Sequence, residues 1–190
     1  MDEYKKIISS LKTKGVSFTQ GMSLEEIGKI EGFYSITFPD ELKHFYSIEL
    51  PTSNGFYNWR DTSDSNVALI RGVINRPIEG LQEELKDNFQ DNDSFWCDKW
   101  GEKPNEIKKA NEIMLKHYNN APKLIPVCLH RYIPFVDGIK STPVFSIMGT
   151  DVIYYGENLI SYLEMEFDLR KRSDLIQDNC KYIDFWSDLL

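Results

Sequence analysis

The sequence predicts an α+β domain: a mixed, mainly antiparallel sheet packed by helices. Three observations lead there. Helical stripes open the chain, β-patterned runs interleaved with helices follow before a helical end, and the two do not alternate regularly as a doubly wound fold requires. No repeat, low-complexity linker or composition break divides the chain, so residues 1–190 read as a single domain.

Taken in order, Tyr4, Ile7, Ile8 and Leu11 fall at helical spacing, and Gly15 closes that helix. Ser23 followed by Glu26 forms a capping-box pair, ahead of a stripe of Leu24, Ile27, Ile30 and Tyr34. Pro39 breaks this pattern and sits in the first turn of a helix over 40–48, with Leu42, Phe45 and Tyr46 inward. Residues 56–76 read as extended, with Val67, Leu69, Arg71 and Val73 on one face and Ala68, Ile70 and Gly72 on the other. A helix follows through Ile78, Leu81, Leu85 and Phe89. The longest helical signal starts at Pro104 and runs through Ile107, Ala110, Met114 and Tyr118. Strands follow at 124–127, 144–147 and 152–155, the first at a sheet edge because Pro126 cannot donate to a ladder. Leu159, Leu163 and Phe167 mark a last helix, and Ile183, Trp186, Leu189 and Leu190 dock the tail on the body.

Thirty acidic against 22 basic residues give a formal charge of −8, which repels phosphate backbones and steers basic partners inward. Direct nucleic-acid binding is therefore not expected. Cys97, Cys128 and Cys180 are odd in number and widely spaced, which fits a reducing cytoplasm better than a disulfide framework. The charged N-terminus lacks an apolar signal region, and no apolar run approaches the roughly 20 residues of a membrane span.

A family resemblance enters at residues 23–55, SLEEIGKIEGFYSITFPDELKHFYSIELPTSNG. The pair Ile30-Glu31, the turn Phe38-Pro39 and the closing Asn54-Gly55 resemble the opening signature of the SMI1/KNR4 (SUKH) family. Trp100 to Pro104, residues 124–127, His130 to Pro134 and Thr150 to Gly156 are similar to stretches of a bacterial subgroup, so the likeness covers about residues 20–167. It implies a compact α+β domain without general catalytic activity. Many bacterial members are immunity proteins that bind and neutralise a cognate secreted toxin, often a nuclease. The alternative it allows is a regulatory or scaffolding protein bound to an endogenous partner.

The residues themselves offer few chemical motifs. His44, His117 and His130 form no HExxH, and no zinc spacing, GxSxG, GxGxxG or Walker pattern occurs. Neither cofactor nor metal is expected. His130, Arg131 and Tyr132 read as a loop after a strand. There His130 with Asp137 or Asp151, and Cys128 as thiol, sketch a small hydrolase, against a plain hydrogen-bond network or a partner contact. Trp96 and Trp100 read as core caps or as exposed anchors, with Asp91, Asp93 and Asp98 beside them offering acidic complementarity to a basic partner. Trp59 and Arg60, in a loop-like region, complete the expected partner-binding set. Oligomeric state is left open.

Overall fold

The computed structural model describes residues 2–90 and 95–190. Asp91 and Asp93 lie outside the described residues. The architecture is α+β: a two-stranded and a four-stranded sheet packed by helices, with every described ladder antiparallel rather than mixed.

Helix α1 (Glu3–Thr13) is capped by the Asp2 carboxylate, which accepts from the Tyr4 N–H, and it buries Ile7, Ile8 and Leu11. Strand β1 (Phe18–Gln20) leads to α2 (Leu24–Tyr34), whose first turn is held by Ser23 Oγ accepting from the Glu26 N–H at 3.2 Å. Only half of the expected capping box forms, because the Glu26 carboxylate turns to Arg60 instead. Leu24, expected inward, is exposed, since it starts the helix on its outer side.

The Ile30-Glu31 and Phe38-Pro39 elements close a structural joint. Glu31 Oε1 accepts from the Phe38 N–H at 2.7 Å and pairs with Lys43 Nζ at 3.0 Å, while Phe38 is wholly buried. This carboxylate ties the end of α2 to the entry of α3 (Asp40–Ile48). Strand β2 (Glu49–Pro51) returns to pair with β1, from Phe18 opposite Pro51 to Gln20 opposite Glu49.

The extended reading of residues 56–76 is corrected by α4 (Asp64–Asp87), a helix of 24 residues that also absorbs the helix expected after it. Ser63 starts it, accepting from the Asn66 N–H, and Ile70, Val73, Pro77, Ile78, Leu81 and Leu85 face inward. The β-branched residues and their apparent alternation pointed to a strand, but burial at helical spacing prevails over local propensity. Pro77 sits inside this helix. It has no N–H for the carbonyl four residues back, a loss that ordinarily breaks a helix at about 3 kcal/mol. That carbonyl belongs to Val73, and the Tyr132 hydroxyl donates to it at 3.0 Å in the buried core.

Helix α5 (Ile107–Tyr118) starts three residues beyond the expected Pro104. The main sheet follows in the order β3 (Leu124–Cys128), β4 (Arg131–Pro134), β5 (Val144–Met148), β6 (Asp151–Gly156). β3 lies at an edge, as Pro126 requires. Arg131 and Tyr132, expected in a loop, are strand residues because their backbones pair with Ser146 and Phe145. At the β5–β6 turn, Gly149 meets α4 so closely that a Cβ on Gly80 would stand 3.0 Å from its Cα. Helix α6 (Leu159–Glu166) opens on an Asn158/Ser161 capping box. Ile183 and Trp186 then dock the tail as expected, whereas Leu190 stays exposed.

Removing the Tyr132 hydroxyl should leave the Val73 carbonyl buried and unpaired. Tyr132→Phe is expected to destabilise by about 1–3 kcal/mol in urea denaturation. In a Pro77→Ala background, where an N–H returns to that carbonyl, the same change should lose most of its effect. Equal losses in both backgrounds would show that the hydroxyl does not repair the helix.

Candidate functional site

Most of the residues singled out from sequence turn out to hold the fold together. Trp59 is buried, edge-on to Phe38 at 5.0 Å and Tyr34 at 5.5 Å, and its Nε1 donates to the Tyr46 hydroxyl at 3.2 Å. It is a core anchor with no surface to offer a partner. Arg60 commits its guanidinium to the Glu26 carboxylate and to the carbonyls of Gln20 and Gly21, clamping its loop to the start of α2. Trp100 is buried against Phe185 at 5.7 Å and Phe95 at 5.6 Å, and Trp96 packs edge-on to it while donating to the Gly101 carbonyl. Trp59, expected as a partner contact, is thereby corrected to a core residue. Of the two readings offered for Trp100, the core cap holds and the exposed anchor does not: these rings find aromatic neighbours that sequence distance conceals. Asp98 is exposed in the short helical turn at 98–100, beside the C-terminal segment.

Two more corrections concern β4. Tyr132 is fully buried on α4. Arg131 is 8% exposed; its guanidinium donates to Glu166 at 3.2 Å and Ser146 Oγ at 2.9 Å, and lies 3.8 Å over the Tyr155 ring. A desolvated guanidinium needs such full pairing to be tolerated. Neither side chain is available for outside contact. Of the three-residue group, His130 alone faces out.

His130 lies in an open groove of about 510 Å³ between the 52–58 loop, the first half of α4 and the β3–β4 turn. Helix α4 contributes Asn66, Leu69, Val73 and Arg76, which share one face at spacings of three, four and three residues. Facing them stand Tyr57, Leu129 and His130. Leu69 is 51% exposed and Leu129 48%, large aliphatic groups held in solvent on two walls of one groove.

The turn that presents Leu129 is built under strain. Leu129 has φ 51°, a left-handed conformation that disfavours a branched side chain by roughly 1–2 kcal/mol. Surrounding bonds enforce it. The Leu129 N–H donates to the Gly55 carbonyl at 3.0 Å, the Tyr57 hydroxyl donates to the Leu129 carbonyl at 2.5 Å, and Cys128 Sγ donates to the Asn54 carbonyl at 3.3 Å. Gly55, at φ 87°, admits this approach because a Cβ there would come 2.6 Å from the Leu129 side chain.

Charge at the groove follows from the same packing. Arg76 is exposed and has no ion pair or hydrogen bond among the described residues. His130 is half-buried, its imidazole likewise without a hydrogen-bond partner there. Burial foremost, then the charges of Arg131 and Arg76, push its pKa below the ordinary histidine value, against a weaker pull from Asp151. Burial pushes the Cys128 thiol up to about 11, so it remains a protonated donor.

The hydrolase sketch does not assemble. Neither Asp137 nor Asp151 is hydrogen-bonded to His130, and Asp137 lines a separate groove beside Phe135. Among the described residues, no group of three or more His, Cys, Asp or Glu side chains is placed to hold a metal ion, and no helix is long and apolar enough to cross a membrane. A narrower cleft of about 330 Å³, between the end of α2, α4 and Trp186, has Lys123 as its charged lining residue; Lys123 Nζ donates to the Ser35 carbonyl at 3.2 Å. It presents no unpartnered charge.

No family model, curated protein or solved structure matches the chain.

If Leu129 is presented rather than required for folding, Leu129→Asn should keep stability within about 0.5 kcal/mol of the parent or raise it, since Asn tolerates the left-handed region. A loss above about 1.5 kcal/mol on urea denaturation would instead make Leu129 a packing residue.

His130 also gives the fold a signed pH dependence. Its lowered pKa means that the unfolded chain binds the extra proton first, so this contribution to stability falls as pH drops through about 6.5. His130→Gln should shrink the stability difference between pH 7.5 and pH 5. In a proton-NMR titration, Arg76→Gln should raise the His130 midpoint; an unchanged midpoint would remove Arg76 from the electrostatics of the groove.

Proposed function

We propose that this chain is a protein-binding domain of the SMI1/KNR4 kind, acting by covering its partner, with a cognate toxin domain as the partner it neutralises. The observation that carries this reading is the pair Leu69 and Leu129, exposed on two walls of one groove. A folding chain gains about 25 cal/mol for each Å² of apolar surface it buries. Here it instead holds one of these side chains out on a left-handed backbone pinned by three hydrogen bonds. A pre-organised apolar anchor loses little conformational freedom on binding, the property that sets interface hot spots apart.

The SMI1/KNR4 likeness draws support from the joint at Glu31. The signature residues there make internal contacts, as residues marking a shared scaffold would, and the groove stands apart from them. Under this reading the scaffold is common to the family and the groove belongs to the particular partner.

Affinity capture with the immobilised protein, run beside a Leu69→Asp/Leu129→Asp variant, tests the proposal. The parent is expected to retain one protein in near one-to-one proportion, and the double variant to retain at least about tenfold less, as for truncated interface anchors. Block of a toxin's activity at equimolar ratio would support the neutralising role. Equal retention by both forms would refute the groove as the binding surface.

A further inference from the structure

The groove carries a charge opposite to that of the chain. The sequence has 30 acidic residues and a formal charge of −8, yet among the described residues no carboxylate lines this groove. Its charged wall is Arg76, with the His130 imidazole across from the same face of α4.

Arg76 also differs from the other five arginines of the chain. Arg60, Arg131 and Arg170 are paired with Glu26, Glu166 and Glu157. Arg71 stacks over Phe33 and donates to its carbonyl, and Arg172 donates to the Tyr154 carbonyl. In a chain with surplus carboxylates, an arginine without an ion pair among the described residues, in a groove where two large aliphatic groups stand exposed together, is a vacant recognition position. A guanidinium offers a planar fork of donors matched to a carboxylate. The imidazole adds an N–H whose tautomer is free to follow the ligand.

We infer that the groove takes an acidic segment of a partner protein, an Asp or Glu side chain on Arg76 and His130 next to an aliphatic side chain between Leu69 and Leu129. This rests on the reading of the groove as a protein-binding site and names the chemistry of what enters it. A polyanion is disfavoured: a single guanidinium between aliphatic walls neutralises one charge, while the field of the whole chain repels a phosphate backbone.

The test is selection of random heptapeptides displayed on phage against the immobilised full chain, with counter-selection on the Leu69→Asp/Leu129→Asp variant. Recovered sequences are then made as labelled peptides and measured by fluorescence anisotropy. Internal Asp or Glu beside Leu, Ile, Val or Phe is expected. Arg76→Glu should weaken these peptides at least about tenfold, as for a close interfacial charge pair. Exchanging the peptide's acidic residue for Lys should then restore binding to Arg76→Glu, a gain that damage to the fold would not produce. Groove-dependent peptides that are neutral or basic, or that carry the acid only as their C-terminal carboxylate, would overturn the inference and leave the protein-binding reading standing. Peptides that bind the double variant equally well, or a selection that yields none, would overturn both.

Discussion

The Tyr132 hydroxyl on the Val73 carbonyl is the contact on which the rest of the arrangement turns. A helix of 24 residues with a proline inside it carries a carbonyl that its own backbone cannot satisfy. Buried away from water, that oxygen needs a donor from elsewhere. Strand β4 supplies it, and the repair welds helix to sheet at one fixed point. Arg76 lies three residues beyond Val73, and His130 two residues before Tyr132. Arg76 and His130, without partners among the described residues, are therefore held in relation to each other by a bond that neither of them makes. The close approach of Gly80 to Gly149 gives a second point at which α4 meets the sheet.

On this frame, strain and buried charge gather beneath the β3–β4 turn. The left-handed Leu129 persists because three hydrogen bonds from the 54–57 loop over-determine it. One residue past His130, Arg131 is buried with Glu166, Ser146 and the Tyr155 ring. A buried ion pair of this kind contributes little net stability once desolvation is counted. Its positive charge does reach His130, which it helps to hold neutral. A residue that packs inward thus adds to the burial that lowers the pKa of one facing out, and fold and site cannot be assigned to separate residues here.

Why some of this was legible in the sequence and some was not follows from the same physics. Helices α1, α2 and α3 bury apolar residues at helical spacing, and strands β3 and β5 are short, nearly continuous apolar runs, so hydrophobic pattern reveals them. The first half of α4 is rich in β-branched residues whose apolar positions alternate over a short window, and Pro77 suggests a boundary. The true signal there was Ser63 as a cap, followed by Asn66, Leu69, Val73 and Arg76 at helical spacing, which is also the wall of the groove. Misreading the element therefore hid the site. Trp59 and Arg60 looked like loop contacts because their partners, Phe38 and Glu26, lie far away in sequence. His130 stood out as a histidine just past a strand with Asp137 and Asp151 nearby in sequence. Leu129 gave no signal, since a positive φ is set by the loop across from it.

The contrast between an acidic chain and a cationic groove narrows the inferred partner further than either feature alone. Over distances of a Debye length, roughly 8 Å at physiological salt, the net charge of −8 governs approach and favours a basic surface. At contact the groove asks for the reverse, a carboxylate beside an aliphatic group. A uniformly acidic protein is repelled before it reaches Arg76, and a uniformly basic one arrives with nothing to place there. Under the inferred reading, the combination favours a partner that is basic overall and carries one acidic side chain on a segment able to enter the groove. Discrimination of this kind uses repulsion as much as attraction, and both are set here by where the chain keeps its carboxylates and where it leaves them out.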